Sequence, residues 1–559
     1  MGLLKKKVGA DTFKVRSGSG ANVSSLRPKQ VTKNAPCIGT CPSSSDIRGW
    51  IALIAQREKL GLSLDQAMEK AWRLLVQKNP LPSTMGRVCP HPCESECNRA
   101  DKDGAVSVNA MERFLGDWAL EHKLAFDKYD DEPKPESIGV IGAGPAGLAF
   151  ACQAARRGYK VTIYEGTGKA GGMLYWGIPF YRLPAAQLEA EVQRILDLGV
   201  VLKLNTTAGK DISIDELRKL HQAIFLGIGA HKGRLLRIPG EDGPGVWTGT
   251  EYLHRVNDGE TIDVGARVAI IGGGDTAIDA ARAVRRAGAE ATILYRRTRT
   301  EMPAIDSEIE DALKEDVKLD LLVAPVEVKR GNGQVKAIVV QKMELGEPDA
   351  SGRRRPVPIP GSEYEIPVDS IIAAISQDPD WGPLEALKPE KGVWMEADDG
   401  GKVAEGLWAG GDVLGLGLAT IAVGQGRRAA DVVHAVLRGL EIPDGRAPAL
   451  VPKERIKLDI FDPKPRAENG HLPVAEWLKS PNAEIATGIT AEEFLEEISR
   501  CLSCGLCSAC ERCWMFCTPS CFTKLPDPTP GDYYKIKIET CDGCSKCAEE
   551  CPGGFLDMA

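Results

Sequence analysis

The chain has 559 residues, of which 43% are hydrophobic and 26% charged, with a formal net charge of −8. This composition supports several globular cores and argues against a general nucleic-acid or anionic-membrane role. Residues 1–25 are polar and basic without an apolar centre, and no run of about 18 apolar residues occurs, so neither a secretory signal nor a membrane span is expected.

The 17 cysteines are bunched at the ends: five from Cys37 to Cys97, Cys152 alone, and eleven from Cys501 to Cys551. Gaps of two and three residues in so long a chain point to metal in a reducing cytoplasm rather than to a disulfide framework. Residues 1–130 hold the first group. Cys37-x3-Cys41 precedes, and Cys89-x3-Cys93-x3-Cys97 follows, a stretch over 47–75 in which Ile51, Ile54, Ala55, Leu74 and Leu75 recur at helical spacing. These thiols suit an Fe–S cluster. Zinc takes four cysteines as readily, and the flavin expected next in the chain favours the cluster. Charged, proline-bearing residues 130–136 read as a linker.

Residues 137–445 alternate short apolar runs with Gly-rich turns and Ala/Arg-rich helical runs, the pattern of a doubly wound α/β fold. A strand over 137–141 runs into Gly142-Ala143-Gly144-Pro145-Ala146-Gly147 and a helix; a second strand, 160–164, ends in Glu165. Gly142 permits the tight turn, Gly144 lets a pyrophosphate approach, and Gly147 lets the helix pack on the strand. The helix N-terminus offers N–H groups to phosphate, and Glu165 can accept from ribose hydroxyls. After a strand over 266–271, Gly272-Gly273-Gly274-Asp275-Thr276-Ala277 repeats the plan. Its following strand ends not in an acid but in Arg296-Arg297, with Arg299 nearby. Arginine there can pair a 2′-phosphate, which favours NADPH over NADH. The first turn, with more chain after it to wrap a long cofactor, is assigned to FAD.

Residues 446–490 are Pro-rich and polar, a long connection. In 491–559, Cys541-x2-Cys544-x2-Cys547-x3-Cys551-Pro552 has the bacterial ferredoxin spacing, and Cys507-x2-Cys510-x2-Cys513-x3-Cys517 repeats it upstream. The fourth cysteine of each run ligates the other cluster. One 4Fe–4S cluster is therefore expected on Cys507, Cys510, Cys513 and Cys551, and another on Cys541, Cys544, Cys547 and Cys517. Residues 533–539 alternate like a strand between the runs. Cys501, Cys504 and Cys521 are left over; Cys501-x2-Cys504-x2-Cys507 also has cluster spacing, but only the downstream register completes the three-residue gap.

The segments Gly171-Gly172-Met173-Leu174-Tyr175-Trp176-Gly177-Ile178-Pro179, Tyr181-Arg182-Leu183-Pro184, Ile238-Pro239-Gly240-Glu241-Asp242, Glu301-Met302-Pro303-Ala304 and Trp408-Ala409-Gly410-Gly411-Asp412 resemble the small (beta) subunit of glutamate synthase and its relatives, over residues 36–430. The resemblance implies an FAD domain with an inserted NAD(P)H domain, here 131–250 and 366–445 around 251–365. It places Gly172, Arg182, Asp412 and Thr420 with the flavin, Asp412 at the ribityl or pyrophosphate region. It also implies Cys41, Cys89, Cys93 and Glu112 as ligands of one N-terminal 4Fe–4S cluster. Relatives hold two clusters there. The cysteine pair they place upstream of Cys37 is absent, so one cluster is expected to be lost, with Cys37 and Cys97 as remnants. Ser376 stands where relatives usually carry glycine.

The expected fold is thus α/β, two Rossmann-like domains flanked by an N-terminal helical Fe–S domain and a C-terminal ferredoxin-like domain. The expected activity is electron transfer between NAD(P)H and a protein acceptor, in either direction, through FAD and about three 4Fe–4S clusters, with no general base required, because a flavin alone among these groups exchanges both hydride and single electrons. The ferredoxin-like tail points to a redox protein partner. The chain is similar to the flavoprotein that serves dissimilatory sulfite reductase; a ferredoxin-linked oxidoreductase, a glutamate synthase-type complex and a catalytically silent electron-transfer subunit are the alternatives, and a homodimer stays open.

Overall fold

A computed structural model describes residues 24–350, 352–443, 445 and 448–559. Two parallel sheets form the middle of the chain. In the first, strands Val201–Lys203, Lys160–Tyr164, Ser137–Ile141, Ala223–Leu226 and Leu407–Ala409 lie side by side and parallel, with Lys402–Ala404 antiparallel at the edge. Ile138, Val140, Ile163 and Phe225 are buried, as parallel strands covered on both faces require. The helices Pro145–Arg156 and Ala419–Arg438 touch through small residues: a Cβ on Gly426 would stand 2.1 Å from the Ala146 carbonyl oxygen.

The second sheet orders Lys318–Leu321, Glu290–Tyr295, Arg267–Ile271, Ser370–Ala373 and Val246–Thr248, all parallel, beside an antiparallel meander over residues 323–367. Its strands fall between the first sheet's Ala223–Leu226 and Leu407–Ala409, so one domain is inserted in the other. The inserted sheet reaches past the expected 251–365 on both sides. The buried strand Ser370–Ala373 pairs with Arg267–Ile271 on one side and recruits Val246–Thr248 on the other.

At the N-terminal end, helices Ile47–Ala55, Leu64–Leu75, Pro82–Val88 and Val108–Glu121 bury Trp50, Trp72, Met85 and Met111. Two of them meet backbone to backbone. A Cβ on Gly86 would lie 2.3 Å from the Arg113 nitrogen, and one on Gly116 2.4 Å from the Ser83 nitrogen. The chain ends come together: Pro28–Gln30 pairs antiparallel with Leu556–Met558. The helix Ala491–Arg500, grouped by sequence with the ferredoxin-like tail, packs on the N-terminal helices instead, where Phe494 stacks on Phe114 at 4.4 Å between ring centroids. Within the expected connection 446–490, Trp477 is buried against Tyr181. The strand expected at 533–539 is Asp532–Ile536, in a hairpin with Phe522–Thr529. Among the described residues no helix is long and apolar enough to cross a membrane.

Candidate cofactor and metal sites

Gly142 follows its strand at φ 97°, where a Cβ would come 2.4 Å from the Gly227 carbonyl oxygen, and a Cβ on Gly147 would come 2.0 Å from that of Gly142. Both positions need glycine. The turn is flanked by Gly171 and Gly172: the Gly171 N–H donates to the Ala143 carbonyl at 2.8 Å, and a Cβ on Gly172 would lie 2.8 Å from Gly144 Cα. Pro145 and Ala146 open the helix, whose first N–H groups have no intrahelical acceptor. Glu165, 8% exposed, accepts from the Ala143 N–H at 2.8 Å and from the Thr167 N–H at 2.9 Å. A glycine cradle, a helix N-terminus and an anchored carboxylate on the next strand fit an adenine dinucleotide. Asp412 and Thr420 reach the same carboxyl end of this sheet from Leu407–Ala409 and Ala419–Arg438. Asp412 accepts from the Gly417 N–H at 3.2 Å, and burial pushes its carboxyl up to about 6.

In the second turn, Gly272 has φ 151° and a Cβ there would stand 2.2 Å from the Ala374 carbonyl oxygen. Gly274 caps the helix Asp275–Arg286, Asp275 accepts from the Ile305 N–H at 3.0 Å, and Thr276 and the buried Ala277 complete the first turn. Arg296 is exposed, and no described residue pairs with it. Arg297 is otherwise committed. It is 5% exposed and donates to the Arg354 carbonyl and the Asp349 carboxylate, both at 2.7 Å. Arg299 pairs with Asp306 at 2.7 Å.

Arg182 likewise has carboxylate partners. It is buried between the two dinucleotide domains, donating twice to Asp279 at 2.8 and 2.7 Å, with Glu308 at 3.2 Å. A buried guanidinium needs carboxylates facing it, and the inserted domain supplies both. Ser376 adopts no left-handed φ, so glycine is not required there. Between the domains, Trp176 stacks on His254 at 4.2 Å beside a cleft that His231 and Thr250 also line.

Cys41, Cys89, Cys93 and Glu112 line one cavity, together with Thr420. The close backbone contact of Pro82–Val88 with Val108–Glu121, at Gly86 against Arg113 and Gly116 against Ser83, brings Cys89 and Glu112 there. The Thr420 hydroxyl is 4.0 Å from Cys89 Sγ, so this cavity adjoins the flavin-side helix. Asn79 donates to Glu112 at 2.8 Å. Burial, then Glu112, pushes the Cys89 thiol up to about 12, and burial pushes Glu112 up to about 7. Such donors ionise only against a cationic partner.

At the C-terminal end Cys507, Cys510, Cys513 and Cys551 line one cavity, and Cys517, Cys541, Cys544 and Cys547 line another. Cys521, unassigned in the sequence, also lines the second. In all three cavities a backbone N–H donates to sulfur: His91 to Cys89 at 3.3 Å, Phe555 to Cys551 at 3.3 Å, Cys521 to Cys517 at 3.2 Å and Gly543 to Cys541 at 3.4 Å. These donor sets fit 4Fe–4S clusters, whose potentials such bonds tune. The remaining end cysteines, Cys37, Cys97, Cys501 and Cys504, are neighbours of one another.

Residues 136–426 match the family model "Pyridine nucleotide-disulphide oxidoreductase", and residues 19–124 match "Dihydropyrimidine dehydrogenase domain II, 4Fe-4S cluster". The chain is 35% identical over 519 residues to the NADPH-Fe(3+) oxidoreductase subunit beta of Geobacter sulfurreducens, covering 84% of this chain and 75% of the relative. It is 34% identical over 513 residues to the NADP(+)-dependent formate dehydrogenase subunit beta of Moorella thermoacetica, covering 84% and 70%. With the glutamate synthase [NADPH] small chain of Escherichia coli it shares 33% over 433 residues, covering 73% and 89%.

Proposed function

Because the chain belongs to the pyridine nucleotide-disulphide oxidoreductase family, as an NAD(P)H-dependent iron–sulfur flavoprotein like the glutamate synthase small subunit, we propose that it oxidises NADPH and passes the electrons singly to a redox protein docked near its ferredoxin-like tail. FAD belongs at Gly142, Gly144, Gly147 and Glu165, with Gly172, Asp412 and Thr420 at its other parts. NADPH belongs at the 272–277 turn, with Arg296, the one unpaired member of the arginine group, free for the 2′-phosphate. The clusters belong on the three cysteine sets that line cavities. A hydride carries two electrons and a cluster accepts one, so a flavin is the necessary go-between.

The observation that carries this reading is the placement of Thr420. It lies on the helix that closes the first sheet, at the carboxyl end where the dinucleotide turn sits, and its hydroxyl faces Cys89. One residue therefore adjoins both the flavin side and a metal cavity. Dissimilatory sulfite reductase, in a reducing cytoplasm, is the acceptor the sequence likeness favours, and a ferredoxin-linked oxidoreductase is the alternative. Anaerobic turnover with a one-electron dye is the test. NADPH should support it and NADH should support it less well; no turnover with either nicotinamide would overturn the reading. Reduction of sulfite reductase, but not of ferredoxin, by NADPH through this protein would select the first acceptor.

A further inference from the structure

Four cysteines that neither ferredoxin spacing nor the Glu112 cavity uses converge from distant parts of the chain. Cys37 lies in the helix Pro36–Thr40, Cys97 follows Pro92–Ser95, and Cys501 and Cys504 follow Ala491–Arg500. Each thiol is in electrostatic contact with the other three, and none is exposed. The segments are fastened by groups other than sulfur. Arg99 donates to the Arg500 carbonyl at 3.2 Å, and Arg500, fully buried, donates to Asp103 at 3.0 Å and to the Gly104 carbonyl at 2.7 Å. Arg48 donates to the Lys33 carbonyl at 2.6 Å and the Cys504 carbonyl at 2.7 Å. Asn98 Nδ2 donates to Cys504 Sγ at 3.5 Å.

We propose that Cys37, Cys97, Cys501 and Cys504 together ligate a further 4Fe–4S cluster, shared between the N-terminal helices and the C-terminal segment. Four thiolates gathered in one partly buried place need cationic charge, and Arg48 faces three of them. A zinc ion at 2.3 Å from each sulfur would draw the thiolates to about 3.8 Å from one another. Among the described residues no three such side chains are gathered that tightly, whereas a cubane takes one thiolate at each of four separate irons.

The site stands in a row. Cys93 is an electrostatic neighbour of both Cys37 and Cys41, so the site adjoins the Cys41, Cys89, Cys93 and Glu112 cavity. Cys504 is three residues before Cys507 on the other side. Four metal sites would then follow one another from Thr420 toward the tail. The identity of the four ligands is independent of the other assignments; only the place in the row rests on them.

The test uses the full chain, purified anaerobically, with iron, sulfide, zinc and flavin measured against amino-acid analysis. Cys501→Ala/Cys504→Ala is expected to lose about four irons and four sulfides per chain and one EPR signal, with flavin unchanged. Cys37→Ala/Cys97→Ala should lose that same signal. If both double variants fail to fold, Cys504→Ser, which keeps a ligating oxygen, should shift that signal and no other. Iron, sulfide and EPR identical to the parent in any of these variants, or one zinc per wild-type chain, would overturn the fourth site while leaving the other three sites and the flavin as they stand.

Discussion

The two dinucleotide turns and the Cys37–Cys504 neighbourhood differ in how their parts are gathered. Gly142, Gly147 and Glu165 come from one strand–turn–helix–strand unit, and Gly272, Ala277 and Arg296 from another. Cys37 and Cys501 lie at opposite ends of the chain and meet where Pro28–Gln30 pairs with Leu556–Met558, Phe494 stacks on Phe114 and Arg500 bonds to Asp103. A turn of the first kind needs only its own sheet. A site of the second kind needs two ends docked, so its formation is coupled to long-range packing and its loss should be separable from loss of flavin.

The largest separation should come from Gly142→Ala. At φ 97°, with a Cβ 2.4 Å from the Gly227 carbonyl oxygen, the side chain has no room and the backbone no comfort. The variant should carry essentially no FAD by absorbance after denaturation, yet keep the iron of the ferredoxin-like tail. Simultaneous loss of tail iron would show that the two plans are not independent. Next comes Asp103→Asn, at the clamp between the ends. Asp103 joins Arg99 at 2.6 Å and Arg500 at 3.0 Å, and Arg500 is fully buried. Arg500 keeps Glu497 as a second buried carboxylate partner, so loss of the Asp103 charge should cost about 1.5–3 kcal/mol, read as a lower urea midpoint of the anaerobic holoprotein. The bond to Arg99, first among its causes, holds the Asp103 carboxyl well below the ordinary carboxylate range. A depressed folded-state pKa gives stability that is present above about pH 4 and is lost as pH falls through the folded value. The gap between variant and wild type should therefore narrow below about pH 4.

What could be read in advance follows the same division. The glycine turns were legible because a tight turn, a close pyrophosphate approach and helix-on-strand packing each restrict a residue only a few positions away. The ferredoxin-like tail was legible through its two- and three-residue gaps, and Cys517 and Cys551 each line the cavity of the opposite run. Two arginines have partners that their own segments do not announce: Arg182, which the resemblance places with the flavin, faces Asp279 and Glu308, and Arg297, expected near the 2′-phosphate, faces Asp349. Cys501 and Cys504 continue the spacing of Cys507 and so resemble a slipped register. Nothing local says that the helix before them docks on Phe114. The cysteine pair missing ahead of Cys37 and the surplus pair at 501 and 504 look unrelated until both ends are seen in contact.

Smaller effects sharpen the comparison within each half. Arg296→Glu should raise the KM for NADPH by about 10- to 150-fold, the loss of one charged hydrogen bond worth about 1.5–3 kcal/mol, with the KM for NADH unchanged or lower. Because Arg297 and Arg299 are already paired, neither can stand in for it. Equal loss for both nicotinamides would mean that Arg296 braces the turn rather than reads the phosphate.

The smallest effect should come from Ser63→Ala. Ser63 accepts from the Gln66 N–H at 3.2 Å, and Gln66 returns a bond to the Ser63 N–H at 3.0 Å, capping Leu64–Leu75. Losing the cap should cost about 1 kcal/mol. That helix buries Trp72 and Leu75 in the N-terminal core but supplies no cysteine and no contact to the tail clamp. The urea midpoint should fall slightly while flavin, iron per chain and NADPH turnover stay at parental values. If iron falls as well, the N-terminal helices hold the composite site only as a whole, and docking of the ends is no longer the step that governs it.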